Sequence, residues 1–321
     1  MLCVCYLLIC CFSFKVKLML RAVRGPSCGA LQMRLCSSTS PPVPPPSSDT
    51  AYLGSSTRYT NTTTEVLDTL EQGQLTHVLP ARVGDHAAIV LVRLQRWFAD
   101  RFARERYLHR ATVLKVVAPS PAFAAAVVQH FSCLIRVREN SKARMLLSEA
   151  ENHQRHLHIL MELAKPNPAE ICAIYICQVV QFFVYLGLFT VAPRFAHRLV
   201  GYTLEESAVM YTHMINDIDA GKVGELPGGR LPDSAFKYWG MAHTPDDAAT
   251  SHSGEPPVGW SVRHLALLIR ADEMEHRDNH HKAANEYDEA MSKSRTARVS
   301  RAVEESTPEP MTAAHQEKQQ Q

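Results

Sequence analysis

Glu273 and His276 stand three residues apart in the run Arg270–Arg277 (RADEMEHR), with His280 and His281 just beyond. On a helix, positions i and i+3 share a face, so a carboxylate and an imidazole can aim at one point. A Glu-x-x-His pair projecting into a bundle is how carboxylate two-metal sites take half of their donors, a partner helix supplying the rest. A second group lies in Glu149–His158 (EAENHQRHLH), where Glu149, His153 and His156 fall at i, i+4 and i+7 of one face. Glu205-Glu206 forms a third, six residues before Tyr211. A His/Glu cluster on a single surface helix is usually just solvated. Three clusters on apolar helices are different, because a buried charge needs a partner or a metal.

The elements that must position these residues read as helices, without the alternating pattern of exposed strands. Asp85–Tyr107 sets Ile89, Val90, Val92, Leu94, Trp97, Phe98 and Phe102 beside Arg93, Arg96, Arg101, Arg104 and Arg106. That pattern fits a helix lying on an anionic membrane surface, and equally a surface helix on the protein's own core. Ala111–Val137 contains Pro119 and Pro121, which should kink it or delay its start. Ser141–Leu163 follows. Glu170–Ala192 is apolar and long enough to span a bilayer, but Gln178 and Gln181 inside it suit a buried bundle helix with one lipid-facing side as well. Arg194–Ala220 ends at the Gly221 stop signal, Pro227–Gly259 is a Gly/Pro-rich connection, and Val262–Ser292 is the last helix. Six helices, four of them in a bundle, is the expected all-α architecture.

Of the 34 basic residues five lie before Asp49, and none of the 32 acidic ones does. The rest of the chain is therefore slightly acidic, which argues against a nucleic-acid partner. An acid-free, Arg- and Ser-containing start reads as a mitochondrial presequence over 1–48, although the apolar opening Met1–Phe14 has a secretory look, and Met19 is an alternative start. Residues 49–84 read as a Ser/Thr/Pro-rich disordered linker, 85–292 as the bundle and 293–321 as a polar disordered tail. Six of the nine cysteines lie in the presequence, leaving Cys133, Cys172 and Cys177 without metal-type spacing.

The clusters together carry a resemblance. RADEMEHRDNHH (270–281), SEAENHQRHLHILMELAKP (148–166) and PRFAHRLVGY (193–202) with the following EES and YTHMINDIDAGK resemble, in the right order, the motifs of the alternative oxidases. The resemblance implies a ferritin-like four-helix di-iron bundle with two additional helices, bound monotopically to the mitochondrial inner membrane. It implies a homodimer that oxidises ubiquinol and reduces oxygen to water without pumping protons. It places His156, Glu273 and His276 at iron ligands, Tyr211 beside the irons, Tyr238-Trp239 packed near them, and Arg110, Leu114 and Asp100 at the quinone pocket.

The match departs from the family at three ligand positions, where Lys115, His153 and Leu204 stand in place of glutamates. Lysine carries positive charge into a site for cations, and imidazole does not bridge two metals. Glu149, one turn before His153, and Glu205, beside Leu204, are the expected substitutes. Two readings follow. One is an oxidase with a remodelled iron site built from Glu149, His153, His156, Glu205, Glu273 and His276. The other is an inactive membrane-bound binding or scaffold protein in which Lys115 pairs with Glu273 or Glu205 and replaces the metal's charge.

Overall fold

Proline and glycine set several of the helix ends among the described residues. Pro119, Pro168 and Pro193 each occupy the first turn of a helix, where a missing N–H costs nothing. Asn167 completes a capping box, accepting from Glu170 N at 3.0 Å while Glu170 Oε2 accepts from Asn167 N at 3.0 Å. Gly221, at φ +65°, takes the left-handed angle that ends the helix before it, as the sequence predicts.

The computed structural model describes residues 64–73, 75–102, 111–112, 115–137, 141–222, 231–240 and 260–306. Within them the chain is all-α, as expected, with α1 (Thr64–Glu71), α2 (Val83–Phe102), α3 (Pro119–Arg136), α4 (Ser141–Ala164), α5 (Pro168–Val191), α6 (Pro193–Asp219), α7 (Asp233–Trp239) and α8 (Val262–Ser306). The presequence, the end of the tail, Arg110, Leu114 and the side chain of Asp100 lie outside the described residues.

The helices α6 and α8 form the most extensive pair and run antiparallel, with Arg263 bound to Asp219 at one end and Arg194 to Asp288 at the other. They approach closely at Gly201, where a Cβ would stand 2.7 Å from the His281 ring. Helix α3 packs on α4 and α5, while α2 and α5 both pack on α6. On α5, Ile174, Cys177, Gln181, Tyr185 and Phe189 turn inward at helical spacing, each large apolar one contributing about 1.5–3 kcal/mol. Its opposite face exposes Tyr175, Ile176, Val179 and Phe183. Helix α2 likewise buries Ala88 and Val92 and exposes Val90, Leu94 and Trp97. By length and composition, Lys115–Arg136 and Glu170–Val191 could each cross a membrane.

Three segments are more ordered than their composition predicts. The linker expected over 49–84 contains α1, whose Leu67 is buried, and Val78 N donates to Glu205. Tertiary contacts fix this segment, which composition cannot report. The connection 227–259 contains α7, with Ala235 and Trp239 in the core. The last helix passes Ser292 and continues to Ser306, through Ala, Lys and Arg residues that propagate a helix at little cost. Helical residues precede Pro119, since 115–117 form a turn that the αR Ala118 joins to α3. Lys115 stands on that turn.

Candidate functional site

Lys115 is fully buried, and its Nζ sits among three of the expected ligands. It donates to His156 Nδ1 at 3.0 Å, to His153 Nδ1 at 3.2 Å, and to the Glu273 carboxylate in a buried ion pair. Those three residues form the one metal-type grouping among the described residues, their donor atoms within 4.8 Å of one another. The lysine nitrogen thus stands where a cation held by this group would stand. The Tyr211 ring lies 6.0 Å from Nζ, and burial pushes its phenol up.

Accepting from Lys115 fixes the tautomers, leaving the proton of each imidazole on Nε2. His156 Nε2 lies 3.0 Å from Asp272 Oδ2, and its ring stacks on Trp239 at 5.2 Å. Burial, then Lys115, pushes His156 down to about 4, so it stays neutral. Asn152 joins the layer, donating to Asp272 at 2.9 Å and to Tyr238 Oη at 2.9 Å, and accepting from His276 Nε2 at 3.0 Å. His276 therefore holds its place through Asn152 rather than through Lys115.

One turn away, Glu149 accepts from His280 Nε2 at 2.9 Å, and His280 Nδ1 meets His197 Nδ1 at 2.9 Å. His153 Nε2 and His276 Nδ1 each lie 3.8 Å from the Glu149 carboxylate, beyond hydrogen-bond reach. Glu149 Oε2, His153 Nε2 and His276 Nδ1 are buried with no hydrogen-bond partner among the described residues. Burial raises Glu149 to about 7.

Glu205 does not join the centre. Its carboxylate accepts from His77 Nδ1 at 2.5 Å, Val78 N at 3.0 Å and His281 Nε2 at 3.1 Å. Burial pushes it up, but the bonds from His281, Val78 and His77 outweigh this and hold it below the usual carboxylate range. The rotation expected to bring Glu205 onto a metal is prevented by these three donors. Leu204 instead faces a cavity that it shares with Val92, Arg96, Gln181, Tyr185 and Glu273. The cavity is a narrow cleft of about 70 Å³, and at its edge Arg96 pairs with Glu206 at 2.6 Å. Its lining is mostly apolar, with Gln95, Arg96, Thr203, Glu206 and Ser207 beside the buried Gln181 amide and the Glu273 end.

The sequence placed Glu149, His153, His156, Glu273, His276 and Tyr211 correctly at the bundle interior. It assigned no role to Asp272, Asn152 and His197 and named His280 only as a neighbour, although each is a polar residue on the inward stripe of its helix. That periodicity was the available signal.

An all-α bundle with a His/Glu centre reached from an apolar cavity defines a recognisable class. Residues 66–285 match the family described as "Alternative oxidase". The chain is 37% identical over 220 residues to a protein of Batrachochytrium dendrobatidis named "Ubiquinol oxidase, mitochondrial", covering 68% of this chain and 64% of that one. It is 34% identical over 210 residues to "Ubiquinol oxidase 1c, mitochondrial" of Arabidopsis thaliana, covering 65% and 58%. With "Ubiquinol oxidase 1, mitochondrial" of Glycine max the values are 32% over 210 residues, 65% and 60%. The matches thus span less than two thirds of the length of these relatives. The chain belongs to the alternative oxidase family.

Proposed function

We propose that this chain is a mitochondrial, membrane-bound member of the family that takes a ubiquinol-type quinol but does not carry a two-iron oxygen-reducing centre. The position of Lys115 carries this reading. Two irons need carboxylates that bridge them. Around Lys115 the only carboxylate among the grouped donors is Glu273, and it is already paired. His153 and His156 present Nδ1 to the lysine, which repels any cation placed between them. The residues present do not fit the two irons that the family implies, and Lys115 supplies one positive charge, matched by Glu273, in their place. Ion pairing with Glu273, one of the partners expected for an inactive homologue, favours that reading over the remodelled oxidase.

The quinol reading rests on the mostly apolar lining of this cleft, with its few polar groups, rather than on its size. Its mouth lies at Arg96 on α2, whose exposed Val90, Leu94 and Trp97 accompany the exposed face of α5. Those faces suit a bilayer surface from which an apolar quinol could enter. The relatives' printed names supply the mitochondrial location and the ubiquinol class.

The test is iron content together with quinol-dependent oxygen uptake of the purified protein. We expect fewer than about one iron per two chains and no uptake. About two irons per chain with quinol-dependent uptake would restore the oxidase reading. The variant Lys115→Glu should raise iron binding above the wild type, because it removes the internal cation and adds a carboxylate donor. No change would place the obstacle elsewhere than at Lys115.

A further inference from the structure

We propose that the exposed end of α8 is a basic arm that docks on an anionic phospholipid surface. The family match ends at residue 285, yet α8 continues to Ser306. Every residue from Glu289 to Ala302 is exposed. Between Glu289 and the closing Glu304-Glu305, the run Ala290–Val303 contains Lys293, Arg295, Arg298 and Arg301 and no acid. It also presents Met291 and Val299 at 54% and 57% exposure. A solvated helical stretch of this length is marginal in water and gains from a surface that covers it.

The place where the arm leaves the body indicates that surface. Ala290 lines a cavity with Arg136 of α3 and with Thr190 and Pro193 at the α5–α6 corner. The neighbouring end of α3 exposes Phe131, Leu134, Ile135 and Val137, and α5 ends on the exposed Val191. Asp288, at the arm's root, is held by Arg82 and Arg194, so the arm starts rigidly beside the first residue of α2. The arm therefore springs from the junction of the three helices that carry the outward apolar residues. Apolar groups next to a helical run of four cations match an anionic bilayer, whose surface attracts each nearby Lys or Arg. A polyanion in solution would use the charges but leave the adjoining apolar surface uncovered.

This inference rests on the membrane reading of the proposed function, and the experiment separates the two. The full-length protein is sedimented with phosphatidylcholine vesicles and with vesicles carrying about 30% phosphatidylglycerol. The wild type should bind both, with anionic lipid raising the partition about tenfold or more. The variant Lys293→Gln/Arg295→Gln/Arg298→Gln/Arg301→Gln should bind neutral vesicles as the wild type does and lose that increment. Arg295→Lys/Arg298→Lys/Arg301→Lys, which keeps the charge, should retain it. Equal binding of the wild type to both vesicles, or an increment that survives in the glutamine variant, would overturn the arm and leave the membrane reading standing. Binding to neither would overturn both. Arm-dependent retention on RNA with no vesicle increment would assign the arm to nucleic acid instead.

Discussion

Around Glu205 and Asp85 the bundle surrounds carboxylates with donors, whereas Glu149 is buried with a single close donor, His280. Asp85 accepts from Ala81 N at 3.0 Å and Arg82 N at 3.1 Å, and Arg194 lies 2.8 Å away. Burial pushes Asp85 up, but Arg194 and the two backbone bonds hold it below its ordinary value. Glu149 has one close donor, His280, and burial wins. The Lys115 layer lies between these extremes. One lysine serves Glu273 and two imidazoles, while Asp272 relies on His156 and Asn152. A bundle interior can therefore keep its acids charged where several donors converge, as at Asp85, Glu205 and Asp272, and neutralises Glu149, which has one close donor.

The largest effect should come from breaking the middle layer. Lys115→Met strands the Glu273 carboxylate and should cost about 3–5 kcal/mol in urea unfolding. Adding Glu273→Met removes the stranded charge and should recover at least about half of that loss. Additive losses in the double variant would show that the pair is not the source of the effect.

The contrast between Glu149 and the donor-rich acids is sharpened by pH. Glu149 has an ordinary value of 4.5 and about 7 in the folded protein, so the native state binds the proton more tightly. Its contribution to stability is full below about 4.5 and is lost as pH rises through about 7. Glutamine does not titrate, so the stability of Glu149→Gln relative to wild type should rise by about 3 kcal/mol between pH 5 and 8. A difference that stays flat across that range would refute the raised value. His156, at about 4, and His280, at about 3, act in the opposite sense, losing stability as pH falls below 6.5, and cancel in this difference.

The smallest effect probes the packing that holds His281 on Glu205. Gly201→Ala places a methyl 2.7 Å from the His281 ring and should cost about 1–3 kcal/mol in thermal unfolding. Gly187→Ala, with nothing within 4 Å, should instead stabilise α5 by up to about 1 kcal/mol. Equal shifts for the two would mean that α6 and α8 yield at their closest approach.

Much of the bundle was legible because helical periodicity and helix-end chemistry are local. Pro119, Pro168 and Pro193 begin helices, Gly221 ends one, and Glu149, His153 and His156 share the inward face that their spacing predicts. Helix α1 and the strap through Val78 were not legible, because α1 is held by Arg270 and Arg263 of α8 and Val78 by Glu205, each more than a hundred residues away. The role of Glu205 was misread for the same reason. Its position beside Leu204 suggested a metal ligand, but His77 and His281 arrive from other segments and claim its oxygens.

The sequence by itself determined the helical class and the family motifs, since side-chain type and i, i+3, i+4 spacing are properties of the chain. Which acid Lys115 pairs with could not follow from spacing, as Glu273 and Glu205 were both open to it. The tertiary structure decided for Glu273, because the turn before α3 brings Nζ into the ring of His153, His156 and Glu273 while three other donors hold Glu205 aside. A charge finds its partner through distance and burial, and the fold alone sets both.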